Sequence, residues 1–334
     1  MTALYITSLE GAAGKTTVGA GLGKHLMASG NKVGFLKLLT TDAEGSPAGN
    51  ADSDAVFMKR ILALKEPIEV LCLVISRQDN LVSDIKEAYA KVAKGKDVVI
   101  VEGAGGRDTA YTKIVDALDT RVVVVAGYSD ELSMASLATD SKDCGAHLLG
   151  VVLNKVPKNH LERVAGQVSG SGVSILGVLP EDRALFALTV GELAEHVHGK
   201  ILNGTDRSGE LVENIMLGAM TVDHGPEYFG RKDNKAVIVR GERPDMQLAA
   251  LETPTTCLVI SGDTEPISSV VYGAESQKVP IIITRDDIVA TVTDIENALG
   301  KTRFNQESKV ARLTDIMERY FNFPVVYRGL DLTD

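Results

Sequence analysis

The sequence predicts an α/β fold in which a parallel sheet carries helices on both faces, followed by a second, smaller α/β domain. Short apolar runs rich in Val, Ile and Leu alternate with segments of helical periodicity. Polar and apolar residues do not alternate within these runs, which is typical of strands buried on both faces of a parallel sheet. The pattern resumes on a smaller scale after the polar, turn-prone residues 203–209, so we place a domain boundary after residue 204.

The first domain, residues 1–204, is expected to hold a run of buried strands with helices between them. The predicted strands are Ala3–Thr7, Lys32–Leu38, Asp97–Val101, Arg121–Ala126 and Leu148–Leu153. The predicted helices are Thr16–Ala28 and Leu81–Ala93, and the domain closes with Val178–Arg183 and a helix over Val190–His198.

The second domain, residues 205–334, is expected to have three or four strands. The predicted strands are Lys235–Val239, Thr256–Ser261 and Pro280–Thr284. The predicted helices are Met246–Leu251, Ile267–Gln277, Ile288–Leu299 and a closing helix over Glu307–Phe321, which has apolar residues at helical spacing.

Composition narrows the classes of partner. The 334 residues include 35 Lys and Arg against 45 Asp and Glu, a net charge of −10 without a basic cluster, so nucleic acid is not an expected partner. Cys72, Cys144 and Cys257 lack CxxC spacing, which indicates core packing in a reducing compartment. Without a basic leader or an apolar run of roughly 18 residues, we expect a cytoplasmic protein that does not enter the membrane.

A phosphate loop is predicted over Ser8–Thr17, between the first strand and the first helix. Its small residues are Gly11, Ala12, Ala13 and Gly14. Their backbone N–H groups and those of the helix start, including Thr17, would face a phosphate, Lys15 would reach the β/γ oxygens, and Thr16 would ligate Mg²⁺. Leu9 stands where the strict motif has its first glycine, so a glycine-rich turn that caps an ordinary helix is the alternative.

Charged residues follow two further predicted strands. Glu102 ends an apolar strand before a glycine-rich turn, where an acid can hold Mg²⁺ directly or through water, or can simply be a surface acid. Lys37 ends a strand at the same edge of the sheet and could hold a phosphoryl or carboxylate group, or be solvated. Asp52 and Asp54 precede a helix-like segment, where acids commonly stabilise the N-terminus of the helix.

Together these segments resemble a dethiobiotin-synthetase-like P-loop domain. The resemblance rests on Ser8–Thr17, Lys37, Asp54-Ala55, Val101–Gly106, Gly150–Val156 and Gly177–Arg183. It implies a P-loop NTPase-type sheet with ATP and Mg²⁺ as cofactors. The phosphate loop of that family is one residue longer than the standard motif, which accounts for Leu9, although the usual opening glycine is Ser8 here.

Residues 208–300 resemble the DRTGG domain. The matching segments are Met216–Met220, Ala236–Glu252 and Cys257–Gly262, with Gly241-Glu242-Arg243 where that family commonly has Gly-Asp-Arg. The two domains in this order are similar to the N-terminal regulatory part of long bacterial phosphotransacetylases. Relatives of both domains commonly form dimers, so the resemblance implies a homodimer.

The first resemblance also implies roles for individual residues. Thr16, Asp54 and Glu102 would surround Mg²⁺, and Lys15 and Lys37 would contact the transferred phosphoryl group. Thr41 would keep one hydroxyl contact, although Leu38–Thr41 follows Lys37 where that family has a proline and small residues. Asn154 would read the adenine edge with Pro180 and Glu181 beside the base; an asparagine amide suits that edge, and a loop cap after a strand is the alternative.

Three functional hypotheses follow from these observations. The first is a nucleotide-dependent regulatory or sensor protein whose second domain binds a metabolite or a protein. The second is an ATP-dependent ligase or phosphoryl transferase of dethiobiotin-synthetase type, and the third is a scaffold with a vestigial phosphate loop. The six histidines are scattered, and His196 and His198 are expected to be surface residues rather than metal ligands.

Overall fold

The computed structural model describes residues 2–40, 52–75, 80–104, 110–131, 133, 137–139, 144–169, 172–219, 224–302 and 304–332. The chain forms two compact units, one made of Met1–Glu181 with Phe304–Asp334 and the other of Asp182–Arg303. Across the described ranges, none of the helices combines the length and the apolar character that crossing a bilayer requires.

The first unit contains a sheet of seven parallel strands. These are β1 (Thr2–Ser8), β2 (Val33–Thr40), β3 (Cys72–Ile75), β4 (Val98–Glu102), β5 (Arg121–Gly127), β6 (Leu148–Val156) and β7 (Ile175–Pro180). Their order is β3-β2-β4-β1-β5-β6-β7. All five residues of β4 are buried, and because consecutive side chains point to opposite faces, both faces of the sheet are covered. The predicted fold class is confirmed.

The helices of this unit connect its parallel strands. They are α1 (Lys15–Ala28), α2 (Ser53–Ile61), α3 (Ile68–Leu71), α4 (Leu81–Ala93), α5 (Ala110–Leu118) and α6 (Leu161–Ser169), with α12 (Val310–Tyr320) and α13 (Phe323–Gly329) near the C-terminus.

Strand β3 was not predicted because it has four residues and lies at the sheet edge, where Val74 is exposed. Its Cys72 is half-buried, and burial raises the pKa of this thiol to about 11. Cys144 and Cys257 are buried, as predicted.

The compact units do not follow the predicted division after residue 204. The chain leaves the first unit after Glu181 and returns to it at Phe304, so the closing helix that we assigned to the second domain belongs to the first unit. Its residues Leu313, Ile316 and Met317 are buried. Met317 packs directly on α1, where a Cβ added to Gly21 would lie 1.9 Å from the methionine sulfur.

The returning segment also lies along the last strand of the sheet. Phe321 forms an antiparallel bridge with Gly177 of β7, and the Asn322 backbone N–H donates to the Leu176 carbonyl at 2.6 Å. A Cβ added to Gly177 would come within 2.8 Å of the Tyr320 carbonyl oxygen, so only glycine allows this approach. The sequence could not reveal the return because an apolar helical stripe does not specify which sheet it covers.

The second unit is built on a five-stranded sheet, whereas three or four strands were predicted. Its strands and those beside it are β8 (Leu188–Thr189), β9 (Lys200–Ile201), β10 (Leu211–Val212), β11 (Asn214–Leu217), β12 (Lys235–Arg240), β13 (Thr255–Ser261) and β14 (Ile281–Thr284). The order is β11-β12-β13-β14-β9, with β9 antiparallel to β14, whereas β8 and β10 pair separately. Strands of two and four residues carry too little pattern to be predicted, which explains why β9 and β11 were missed.

Helices cover both faces of this second sheet. They are α7 (Val190–His196), α8 (Gly225–Phe229), α9 (Pro244–Leu251), α10 (Ser268–Ser276) and α11 (Ile288–Lys301). One buried apolar cluster contains Phe229, Met246 and Val270, from α8, α9 and α10. The other contains Leu193 and Ile295, from α7 and α11. The chain therefore changes faces after β14, between α10 and α11.

Candidate phosphate and metal site

Five charged or hydroxyl-bearing side chains meet at the C-terminal ends of β1, β2 and β4 in the first unit. Lys15 and Thr16 begin α1, Asp54 lies in the first turn of α2, and Lys37 and Glu102 are cross-strand neighbours in β2 and β4. The Thr16 hydroxyl lies 3.0 Å from Glu102 Oε1 and 3.5 Å from Asp54 Oδ2. The structure thus brings together the residues predicted for magnesium and for the transferred phosphoryl group.

Lys37 lies among the carboxylates of this cluster. Its Nζ is 2.5 Å from Asp54 Oδ2, 3.0 Å from Asp52 Oδ1 and 3.5 Å from Glu102 Oε1. Burial by itself lowers the pKa of Lys37, but the carboxylates of Glu102, Asp54 and Asp52 outweigh it and raise the pKa above the ordinary value. Lys37 therefore supplies positive charge where three carboxylates converge.

Asp52 has a part in this cluster that the sequence did not predict. Its Oδ1 accepts a hydrogen bond from the Ala55 N–H at 2.9 Å and so caps α2, as expected of an acid before a helix. The same oxygen contacts Lys37. A capping acid is such a common pattern that the second contact left no sequence signal.

Glu102 is the most deeply buried acid of the cluster, with 3% of its surface exposed. Burial raises its pKa, an effect opposed by the charge of Lys37 and the hydrogen bond from Thr16. Within the described part of the chain, its Oε2 has no hydrogen-bond partner. A buried carboxylate oxygen without a partner beside a threonine hydroxyl fits a small hard cation, since Mg²⁺ prefers oxygen ligands.

The loop before α1 has the backbone expected of a phosphate loop. Gly14 adopts φ 104° and Ala12 adopts φ 55°, both in the left-handed region. Lys15 Nζ donates to the Ser8 hydroxyl at 3.0 Å, and that hydroxyl donates to the Glu10 carbonyl at 2.7 Å. Burial lowers the pKa of Lys15, partly offset by Glu102. Ser8, which replaces the opening glycine, thus holds the lysine over the loop.

Two side chains near the end of β6 donate hydrogen bonds to backbone carbonyl groups of this loop. Asn154 Nδ2 donates to the Ala13 carbonyl and Lys155 Nζ donates to the Ala12 carbonyl, both at 2.9 Å. Asn154 is buried, and a Cβ added to Gly14 would lie 2.2 Å from its Nδ2. These contacts hold the loop against the end of β6. The hydrogen bond to Ala13 uses one of the two N–H donors of the Asn154 amide, and the reading of adenine by this residue stays a prediction.

The remaining predicted residues are less informative. Pro180 ends β7 and is buried, whereas Glu181 is exposed and its N–H donates to the Val156 carbonyl at 2.7 Å. Both lie at the C-terminal edge of the sheet, as Asn154 does, and their position beside a base stays a prediction. Thr17 is half-buried near the start of α1, and Gly11 is exposed. Thr41 lies outside the described residues.

Replacing Asn154 by alanine separates the two roles considered for this residue. If Asn154 orients the phosphate loop, the variant loses affinity for Mg-ATP, Mg-GTP and inorganic triphosphate by the same factor. We expect about tenfold, which corresponds to about 1.4 kcal/mol for one lost hydrogen bond in a buried loop. Competition titrations with the three ligands provide the measurement. A loss confined to ATP would instead assign Asn154 to the base.

Comparison with protein families decides the classification of the first unit. A family model described as an AAA domain matches residues 2–188, more than half of the chain. The chain belongs to this AAA-domain family. A second model, described as a DRTGG domain, matches residues 192–298. The predicted arrangement of a P-loop domain followed by a DRTGG domain is confirmed, and the two matches meet closer to the structural division at residue 181 than to the predicted one.

The relatives of this AAA-domain chain include phosphate acetyltransferases and a dethiobiotin synthetase. Phosphate acetyltransferase of Nitrosomonas europaea is 22% identical over 356 residues, which cover 96% of this chain and 50% of that protein. ATP-dependent dethiobiotin synthetase BioD of Streptomyces avermitilis is 28% identical over 202 residues, 54% of this chain and 84% of that protein. The chain spans about half the length of the phosphate acetyltransferases that it matches. Among solved structures, the MinD cell division protein of Aquifex aeolicus aligns over 55% of this chain and 84% of its own, with 18% identity and a TM-score of 0.38.

Proposed function

We propose that the first unit, called the AAA unit from here on, binds Mg-ATP and that the protein is a nucleotide-dependent regulator related to the regulatory part of phosphotransacetylase. One observation carries the proposal: Lys15, Thr16, Lys37, Asp54 and Glu102 converge at the phosphate loop, and a buried carboxylate oxygen of Glu102 has no hydrogen-bond partner among the residues that the structure describes. The similarity of nearly the whole chain to phosphate acetyltransferases supports the regulatory part.

The acidic residues and Thr16 of the cluster are proposed to bind the metal ion, and its lysines the phosphates. Thr16, Asp54 and Glu102 would hold Mg²⁺, which when bound neutralises phosphate oxygens. The loop amides and Lys15 would bind the phosphates, with the start of α1 adding its dipole. Lys37 balances the carboxylates and lies where its amine can also reach a phosphoryl oxygen. Burial of these groups strengthens each electrostatic contact.

The second unit, Asp182–Arg303, which contains the DRTGG match and is called the DRTGG unit from here on, is proposed to respond to the nucleotide state of the AAA unit. The test is hydrogen exchange followed by mass spectrometry on the full chain without nucleotide, with Mg-ADP and with Mg-ATP. We expect slower exchange at the phosphate loop and a nucleotide-dependent change within Asp182–Arg303. Changes confined to the AAA unit would contradict regulation but leave binding intact. No change in either unit would contradict both.

An ATP-dependent ligase or phosphoryl transferase is the second candidate. The similarity to dethiobiotin synthetase over 84% of that enzyme favours it, together with the buried amine of Lys37 at the edge where a second substrate would meet the phosphates. A panel of small carboxylic acids and amines should then stimulate ADP release, and Lys37→Ala should abolish the stimulation. If every compound leaves ADP release unchanged, this candidate is rejected.

A cytoplasmic homodimer completes the proposal. Light scattering coupled to size exclusion should give twice the 35.5 kDa mass of the chain. A monomer over the micromolar range would contradict the dimer without affecting nucleotide binding.

A further inference from the structure

The second unit brings one imidazole and two carboxylates together. His198 follows α7, Asp286 follows β14, and Asp294 lies within α11. The distance from His198 Nδ1 is 3.4 Å to Asp286 Oδ2 and 3.9 Å to Asp294 Oδ2, and one ligand atom of each residue lies within 4.8 Å of the others. The sequence prediction treated His198 only as a surface residue, because its neighbours in the fold are distant along the chain.

The separations within this trio match those between ligands of one metal ion. Nitrogen and carboxylate ligands bind Zn²⁺ at about 2.0–2.2 Å, so two ligands on a common ion stand about 3–4 Å apart. A charge-assisted hydrogen bond between imidazolium and carboxylate is shorter, about 2.7–2.9 Å. The two distances from His198 therefore fit shared coordination of one ion, although the 3.4 Å contact is also within reach of a long hydrogen bond.

Surrounding contacts fix the backbone that carries these ligands. Thr284 is buried; its hydroxyl donates to the Val197 carbonyl at 2.6 Å and accepts from the Asp286 N–H at 3.2 Å. One side chain thus ties the residue before His198 to Asp286. Asp287 caps α11 by accepting from the N–H groups of Val289 and Ala290. Supporting contacts of this kind hold ligand groups in place at metal sites.

We propose that His198, Asp286 and Asp294 bind a divalent first-row transition-metal ion of the Zn²⁺ type. An imidazole ligand favours Zn²⁺ over Mg²⁺, which takes oxygen ligands only. The His198 side chain is 75% exposed, which gives the ion an entry path. Three protein ligands leave at least one coordination position for water or for an exogenous ligand.

Cobalt absorption and zinc calorimetry on the full chain, without nucleotide, test this proposal. Co²⁺ bound by imidazole and carboxylates gives visible absorption bands, and Zn²⁺ should displace it. We expect His198→Ala and Asp294→Asn each to weaken Zn²⁺ binding by at least about tenfold. His196→Ala is the matched control, because His196 is an exposed histidine two residues away and is not part of the trio.

The native protein and the three variants share the carboxylates of the AAA unit. Any Zn²⁺ that binds there contributes equally to all four measurements and does not affect the differences between them. Equal Zn²⁺ affinity in His198→Ala and His196→Ala would overturn the proposal and leave the trio as an ion pair. Displacement of Zn²⁺ by equimolar Mg²⁺ would overturn it as well. If Asp294→Asn proves unfolded by circular dichroism, the exposed His198→Ala variant decides the outcome.

Discussion

Lys15→Ala is expected to lose Mg-ATP affinity by about 30-fold or more. Removing one partner of a desolvated charge pair costs about 2–5 kcal/mol, and each 1.4 kcal/mol is a factor of ten. Lys15 lies at the start of α1 with its amine hydrogen-bonded to Ser8 at the start of the phosphate loop, so its loss removes a positive charge from the proposed phosphate site. Isothermal calorimetry with Mg-ATP measures the effect.

The matched control for this variant is Lys94→Ala, which removes an exposed lysine at the end of α4 and should leave the affinity unchanged. Glu102→Gln provides a second comparison, because it keeps the volume but removes the buried charge. It should weaken Mg-ATP binding more than the binding of ATP in EDTA. If Lys15→Ala binds Mg-ATP as the native protein does, the proposed nucleotide site is wrong.

Ending the chain at Arg303 is expected to leave the AAA unit unfolded. The removed segment contributes eight large buried apolar side chains: Leu313, Ile316, Met317, Phe321, Phe323, Val326, Tyr327 and Leu330. Burying each such side chain is worth about 1.5–3 kcal/mol, so their combined loss is comparable with the whole stability of an ordinary domain, about 5–15 kcal/mol. Hydrogen bonds from Tyr327 to Ser29 and from Thr2 to the Leu330 carbonyl are lost as well.

Thermal unfolding followed by circular dichroism, with limited proteolysis to locate the unfolded part, measures the outcome. A chain ending at Leu332 is the control and should melt like the native protein. A milder companion is Gly177→Ala, whose Cβ would collide with the Tyr320 carbonyl and should lower the melting temperature without unfolding the unit. A protein ending at Arg303 that still melts cooperatively in both units would contradict this account of the first unit.

Much of the first sheet could be predicted because its strands are apolar on both faces. Helix α4 has the predicted bounds, and β1, β2, β4 and β5 differ from the prediction by one or two residues at an end. Residues Lys15, Thr16 and Glu102 could be found because each occupies a fixed place after a buried strand or at a helix start. Lys37 was a candidate from its place at a strand end, whereas Asp54 gained its role only through the family resemblance.

What the sequence could not provide concerns contacts between distant segments. Short strands such as β9 carry no periodicity, and the apolar stripe of α12 is equally compatible with either sheet. Asp52 caps the start of α2 and also contacts Lys37. The capping pattern explains the residue fully at the sequence level, so the contact with Lys37 could not be predicted. His198 and Asp286 lie on separate elements, and only the folded sheet makes them neighbours.

The interrupted chain path of the AAA unit also governs the order in which it can fold during synthesis. Residues up to Glu181 leave the ribosome first, but the segment from Phe304 that completes this unit follows only after the roughly 120 residues of the DRTGG unit. At about 5–20 residues per second, the nascent AAA unit waits about 6–24 s with the outer strand and its apolar surface uncovered. During that interval the exposed apolar surface favours aggregation of the nascent chain, and the whole DRTGG unit is synthesised before the AAA unit is complete.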